Sequence, residues 1–242
     1  MNQCARVILM SALILCSVPL AARQASQDEE VPQADGTRSF RVMNIQGWKV
    51  YFHKRILREQ RELGEKVIKL LKMQLAQVVH AVPESRLEKL REVPIWVDDM
   101  GRGPIHYHPG RQWLLDNGYN PDKHRAVDIS QARNLVRSYR AQPWVMMHEL
   151  SHAYHDRVLG FDDTRVLAAF EEAVKQKKYE AVLRISGSSG KHYALSNHKE
   201  YFAECTEAFF GTNDFYPFVS AELRQHDPGM YRLLEEIWGT KE

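Results

Sequence analysis

The chain has 242 residues, 44% of them hydrophobic and 26% charged, and 33 Lys and Arg against 31 Asp and Glu leave a formal net charge of +2. The basic residues are spread along the chain rather than gathered into a stripe, which argues against a nucleic-acid-binding protein. Three cysteines are too few for a scaffold held together by disulfides.

The first 22 residues have the composition of a signal peptide. Arg6 precedes the apolar run 7–18, and small residues follow up to Ala22. We therefore expect cleavage after about Ala22, export to the periplasm or the medium, and no stable membrane anchor. Removal of this segment would leave Cys205 as the one remaining cysteine, which we expect to be a buried apolar side chain.

Residues 23–39 are polar and acidic and lack apolar periodicity, which is typical of a disordered leader. The remaining residues, 40–242, are enough to bury one hydrophobic core and indicate a single domain.

Apolar spacing within 40–242 predicts a helix-dominated α+β fold with a small β-sheet. The predicted strands are 40–53 (a hairpin around Gly47), 94–97, 126–129 and 179–185. The predicted helices are 59–82, 85–92, 131–140, 164–176 and 227–238, besides two that are described below. Between them, residues 101–120 are rich in Gly, Pro and aromatic residues and indicate a long structured loop.

Two histidines in this loop, His106 and His108, alternate with apolar residues and suggest a second metal site. No carboxylate or cysteine stands near them at ligand spacing, so substrate-facing or structural histidines are the favoured interpretation. Shortly after the loop, residues 127–130 precede the next helices as an edge strand does in many zinc peptidases. We assign these four residues the role of pairing with an extended substrate.

The most informative motif is H-E-x-x-H at residues 148–152. Residues four apart share one face of a helix, so His148 and His152 can bind one metal ion together. Glu149 lies beside them, where it can take a proton from a metal-bound water. Because so short a motif also arises by chance, its surroundings decide how much weight it carries.

The surroundings favour a semi-buried helix. Pro143 suits a first helical turn, apolar residues flank both histidines, and Gly160 predicts the end of the helix. His155 falls near the same face, but it lies about 10 Å from His148 along the axis of a straight helix. We therefore interpret His155 as a histidine at the solvated helix end or one that supports a ligand, and not as a ligand itself.

A catalytic zinc ion has three protein ligands and one open position, so a third ligand must come from elsewhere in the chain. The richest region is 193–211, which contains a predicted helix over 198–210. Asn197 is the expected N-cap of this helix and Gly211 its stop.

Three carboxylates of this helix, Glu200, Glu204 and Glu207, are spaced i, i+4, i+7 and so share one face. Such a row can simply face solvent. On a helix that is otherwise crowded with aromatic residues, it can instead face a buried cation. One carboxylate can then bind the ion, and the next can hold a ligating histidine by its other ring nitrogen.

The pattern Y-A-x-x-N-x-x-E-[YF]-F-A-E downstream of H-E-x-x-H resembles the catalytic domain of anthrax toxin lethal factor and its relatives, which are gluzincin-type zinc metallopeptidases. The positions in register are Tyr193, Ala194, Asn197, Glu200, Tyr201, Phe202, Ala203 and Glu204. The resemblance covers roughly 143–211. The large delivery and substrate-capturing regions of the toxin have no counterpart here, so toxin function is not implied.

This resemblance implies a zincin-like fold with one zinc ion per chain. The implied zinc ligands are His148, His152 and Glu200. Glu204 would support a ligand from outside the coordination sphere.

The same resemblance implies Glu149 as the general base and Tyr193 as the hydroxyl that steadies the oxyanion. His192, the neighbour of Tyr193, is a weaker candidate for that second role.

The expected function is that of a secreted zinc-dependent metallopeptidase, an endopeptidase that hydrolyses peptides or proteins by means of a zinc-activated water. Two alternatives stay open. A metal-binding module that does not cut would need neither Glu149 nor Tyr193. A zinc amidase acting on a non-protein substrate would use the same metal centre.

Overall fold

A five-stranded mixed sheet is built from the first half of the chain. The computed structural model describes residues 37–99, 101 and 103–239. The strands of this sheet are β1 (Phe40–Ile45), β2 (Trp48–His53), β3 (Ile95–Val97), β4 (His106–Tyr107) and β5 (Val127–Ile129). Their order across the sheet is β1-β2-β3-β5-β4. The two outer pairs, β1 with β2 and β4 with β5, are antiparallel, and the inner pairs are parallel.

Helices make up most of the remaining structure. They are α1 (Lys54–Glu59), α2 (Arg61–Ala81), α3 (Glu84–Arg91), α4 (Arg111–Asp116), α5 (Ala132–Ser138), α6 (Val145–Tyr154), α7 (Thr164–Lys175), α8 (His198–Phe210), α9 (Ser220–His226) and α10 (Pro228–Trp238). A second, two-stranded ribbon pairs β6 (Val182–Leu183) with β7 (Ser189–Gly190). The prediction of a helix-dominated α+β protein with a small sheet is confirmed. None of the helices within the described ranges has the length and apolar character needed to cross a bilayer.

Several elements lie within two residues of their predicted bounds, because their periodicity and caps are local in the sequence. These are the β1–β2 hairpin and the helices α2, α3, α7, α8 and α10. The predicted signal peptide, residues 1–22, lies outside the described residues. So does the predicted leader as far as residue 36, and Thr37–Ser39 form a short 3-10 turn before β1.

Three predictions about elements were wrong. Residues 101–120 are not only loop, since they contain β4 and α4, and β4 exists through its pairing with the distant β5. The strand expected over 179–185 is reduced to β6. The strand over 127–130 is not an edge strand, because β5 lies between β3 and β4 with partners on both sides. The edge is β4.

The core lies between one face of the sheet and the helices. Large, fully buried side chains come from β2, α2, α8 and α10, among them Phe52, Leu71, Leu75, Phe202 and Trp238. Helices α6 and α8 pack against each other within this core. They are antiparallel, since Trp144 at the start of α6 meets Gly211 at the end of α8.

The Trp144 indole lies directly over Gly211, in the space that a Cβ atom at this position would occupy. We expect Gly211→Ala to lower the free energy of unfolding by roughly 1–3 kcal/mol, because the indole or the backbone must move to admit the methyl group. Urea denaturation measures the change.

The matched control is Gly64→Ala in α2, where an added Cβ would meet Ile56 at an ordinary 3.5 Å. Alanine is also the better helix former there, so stability should be unchanged or raised by up to about 1 kcal/mol. Equal effects of the two substitutions would contradict the close packing of Trp144 on Gly211.

Candidate metal centre

The H-E-x-x-H residues lie on the buried helix α6. Apolar side chains of Met146, Met147 and Leu150 anchor the helix in the core. The helical stretch continues past α6 as one π-helical segment, His155–Leu159, and ends at Gly160 with φ of +82°, a value that favours glycine. This packing places the H-E-x-x-H residues in the interior of the protein.

Helix α8 places Glu200 opposite this motif. The Asn197 side chain accepts hydrogen bonds from the backbone N–H groups of Lys199 and Glu200, at 2.9 and 3.1 Å. This is the predicted N-cap, and it sets the start of the helix so that Glu200 lies in the first turn.

Three atoms of α6 and α8 that can donate a lone pair to a metal ion lie close together. His148 Nε2 lies 3.1 Å from Glu200 Oε2 and 3.1 Å from His152 Nε2, and His152 Nε2 lies 3.3 Å from Glu200 Oε2. Three atoms bound to a tetrahedral zinc ion at about 2.1 Å lie about 3.4 Å apart. These three atoms, His148 Nε2, His152 Nε2 and Glu200 Oε2, form a donor triangle that has nearly the size that one such ion requires.

The orientation of His148 is set by Glu207. His148 Nδ1 lies 2.7 Å from Glu207 Oε1, and Gln142 Nε2 donates to the same oxygen at 3.0 Å. Since Glu207 Oε1 already accepts from Gln142, it is the acceptor here as well, so Nδ1 carries the hydrogen, and in the neutral ring Nε2 keeps its lone pair for a metal ion. Glu204 lies farther away, with Oε1 at 3.8 Å from the same nitrogen. Glu207 therefore makes the shorter contact with this nitrogen, and Glu204, for which the resemblance implies the supporting role, makes the longer one.

The electrostatics of this group favour a positive charge. Burial lowers the pKa of His148, but hydrogen bonds to Glu200 and Glu207 outweigh it and raise the pKa well above its ordinary value. The pKa of Glu204 is raised by burial and by the neighbouring Glu207 carboxylate. So many carboxylates around two imidazoles form a site suited to a cation.

Glu149 lies next to the donor triangle and is held from the edge of the sheet. The backbone N–H of Tyr107, in β4, donates to Glu149 Oε2 at 2.7 Å. The Tyr107 hydroxyl donates to Asp156 at 2.7 Å. Strand β4 is therefore hydrogen-bonded to α6 at Glu149 and to the segment just beyond α6 at Asp156. Burial raises the pKa of Glu149 to about 8, although the charge of His148 opposes the shift.

A cleft of about 470 Å³ opens onto these groups. Tyr193, 51% exposed, lies on its rim in the 3-10 turn Tyr193–Ser196, and its pKa is raised by the charge of Glu200. His192 is not among the residues lining the cleft. It is buried, and its Nδ1 accepts from the Ala194 N–H as the cap of that turn.

His155 is not at a solvated helix end, which corrects that part of the sequence interpretation. It is fully buried, its ring packs against Phe161 and Phe202, and neither of its ring nitrogens has a hydrogen-bond partner among the described residues. Burial, with a contribution from His198, lowers its pKa to about 3. The sequence did not reveal this burial because it depends on how α6 and α8 pack.

The histidines of the predicted loop do have a carboxylate partner. Pairing of β4 with β5 puts His106 opposite Asp128, and His108 Nε2 lies 3.2 Å from Asp128 Oδ2. Asp128 also accepts from Lys123 Nζ at 2.8 Å and from Ser130 at 2.6 Å. Burial would raise the pKa of Asp128, but these three hydrogen bonds lower it to about 2. Lys123 thus already supplies the positive charge that a metal ion would bring to this group.

The described residues therefore form an α+β protein with buried His, Glu and Asp groups that can hold a metal ion. Of these groups, the His148–His152–Glu200 triangle has three converging donors, a supported histidine and an open cleft. Comparison with known proteins found no matching family model, curated protein or solved structure.

The contact between Glu207 and His148 predicts that Glu207→Gln lowers the affinity for a divalent metal ion such as zinc by roughly 10-fold or more, because an amide is a weaker acceptor for the His148 N–H. Competition with a chromogenic chelator at fixed pH measures this affinity. Glu204→Gln is the comparison, and we expect a smaller loss from its longer contact. Equal losses, or a larger loss at Glu204, would show that Glu207 is not the main support of His148.

Proposed function

We propose that this protein is an exported zinc-dependent metallopeptidase of the gluzincin type with a zincin-like fold, which cleaves bonds inside peptides or proteins. The observation that carries the proposal is the donor triangle of His148, His152 and Glu200, with sides of 3.1–3.3 Å. The resemblance of residues 143–211 to the catalytic domain of lethal factor supports the same assignment. Export by the segment 1–22 is part of the proposal.

His148, His152 and Glu200 would hold the zinc ion. When bound, zinc supplies a Lewis acid that polarises the substrate carbonyl and lowers the pKa of a water molecule. Glu207 keeps the His148 ring in the required tautomer and orientation.

Glu149 would take the proton from the attacking water and deliver it to the leaving amine. Its carboxylate is aimed by the hydrogen bond from the Tyr107 N–H, so it does not have to reorganise during the reaction. The Tyr193 hydroxyl, on the rim of the same cleft, would donate to the oxyanion that develops on the substrate carbonyl.

Substrate would lie along β4 and not along β5. β4 is at the edge of the sheet, and Ile105, His106 and Tyr107 line the cleft. An extended peptide can lie along such an edge, although the Tyr107 N–H is already bound to Glu149 and is not among its donors. This arrangement favours a peptide substrate over a small amide that has no extended backbone.

The first test is the zinc content of the purified protein. We expect one zinc ion per chain, lost or strongly weakened in His152→Ala and in Glu200→Ala, because each change removes one of three ligands. His124→Ala, a histidine outside the cleft, should keep its zinc. Zinc that survives Glu200→Ala undiminished would refute the gluzincin assignment, and a wild-type protein that cannot be loaded with zinc would refute the whole proposal.

A peptide-library digest followed by kinetics on the best peptide tests the chemistry. Glu149→Gln should keep zinc but lower kcat by about 100-fold or more, since it removes the general base. Tyr193→Phe should lower kcat by about 10- to 1,000-fold with little change in KM, since the hydroxyl acts on the developing oxyanion. Zinc-loaded protein that cleaves no peptide would favour the binding module or the amidase instead.

A further inference from the structure

One aromatic side chain near the cleft is unusually exposed. All five tryptophans lie within the described residues, and three of them, Trp48, Trp96 and Trp238, are almost completely buried. Trp113, on the short helix α4, is 50% exposed. A single exposed apolar residue needs no explanation by itself, so its surroundings decide whether it has a role.

Trp113 belongs to a cluster of three rings. The centroid of its indole lies 5.3 Å from that of Tyr119 and 5.7 Å from that of His108, and His108 lies 5.5 Å from Tyr119. These separations are those of favourable aromatic pairs. The inner side of Trp113 is therefore packed against rings, and about half of the side chain is left in solvent.

The cluster is anchored by the buried ionic network under it. Asp128 holds His108 Nε2 and is itself held by Lys123 and Ser130. Placing an aspartate and a lysine inside a protein is costly and adds little net stability compared with apolar residues. What the network does provide is a fixed His108 ring, and so a fixed support for Trp113.

The cluster continues directly into the cleft. The ring of His106, which lines the cleft, lies 4.1 Å from that of His108 in a T-shaped arrangement. The centroid distances from His106 to His108 and from His108 to Trp113 together put Trp113 within about 10 Å of His106. Roughly three residues of an extended chain span this length. Pro109, between β4 and α4, lines the cleft as well. A peptide lying along β4 would meet Trp113 a few residues beyond the cleft.

We propose that Trp113, supported by His108 and Tyr119, binds a large apolar or aromatic side chain of the substrate within about 10 Å of the cleft wall at His106. This inference rests on the proposed peptidase function and narrows its substrates to extended segments with such a side chain at that distance. A rigid, half-exposed indole supplies both apolar area and a ring face for stacking. Trp113 is thus a specificity-determining residue and takes no part in bond cleavage.

The experiment uses zinc-loaded protein and a set of peptides that share one cleaved sequence. A single Phe is moved one position at a time, from four residues before the cleaved bond to four residues after it, in place of Gly. For wild type we expect kcat/KM to peak with Phe at one of these positions, and the gain to lie mainly in KM. Trp113→Ala should remove the peak, so that kcat/KM for the best Phe peptide falls by about three- to tenfold relative to the Gly peptide.

Leu115→Ala is the matched control. Leu115 is 45% exposed on the same helix, but two residues along a helix it points away from the face of Trp113. This variant should keep the peak in kcat/KM. The conservative variant Trp113→Phe should keep most of it, because it retains an aromatic ring. A flat profile in wild type, or a peak that survives Trp113→Ala, would overturn the inference and leave the peptidase proposal standing.

A binding measurement separates the two proposals. The zinc-loaded Glu149→Gln variant is mixed in turn with each Phe peptide of the set, and tryptophan fluorescence is followed, since Trp113 is the one strongly exposed tryptophan. We expect a change in emission that is absent when Trp113 is also replaced by Phe. If the emission changes but wild type cleaves no peptide, the Trp113 site stands and the peptidase proposal is refuted. No change in emission would overturn the Trp113 site.

Discussion

The antiparallel contact between α6 and α8 is the constraint on which the rest of the site depends. At one end, Gly211 has no side chain, so the Trp144 indole can lie on the backbone and bring the helices close. At the other end, Asn197 caps α8 and places Glu200 opposite the two histidines of α6. The donor triangle is a consequence of these two ends, since a shift of either helix would separate atoms that now lie 3.1–3.3 Å apart.

Such a concentration of buried charge is unfavourable unless its members compensate one another. Glu149, Glu200, Glu204 and Glu207 all lie around His148, and the raised pKa values of Glu149 and Glu204 reflect the cost of burying their charges. A divalent cation in the triangle would offset this cost. The group is therefore better explained by metal binding than by stability.

Strand β4 connects the donor triangle to the aromatic cluster beside the cleft. Through Tyr107 it aims the carboxylate of Glu149 and reaches Asp156 beyond α6. The neighbouring residues on the strand, His106 and His108, join the cleft to the aromatic cluster beside it. Successive residues of a strand point to opposite faces, so the Tyr107 side chain and the two histidines beside it reach different neighbours from one short element.

The sequence by itself determined the features whose causes are local. The helical period, the Asn197 cap and the Gly211 stop predicted α8, and the i, i+4 spacing predicted that His148 and His152 share a face. Only the tertiary structure decided which distant groups meet. The rotation of α8 against α6 brings Glu207 closer than Glu204 to the His148 ring, and the same packing buries His155. The pairing of β4 with β5 makes β4 the edge of the sheet and gives His108 its carboxylate. A two-residue strand has too short a pattern to be read, and its position is set by partners far away in the chain.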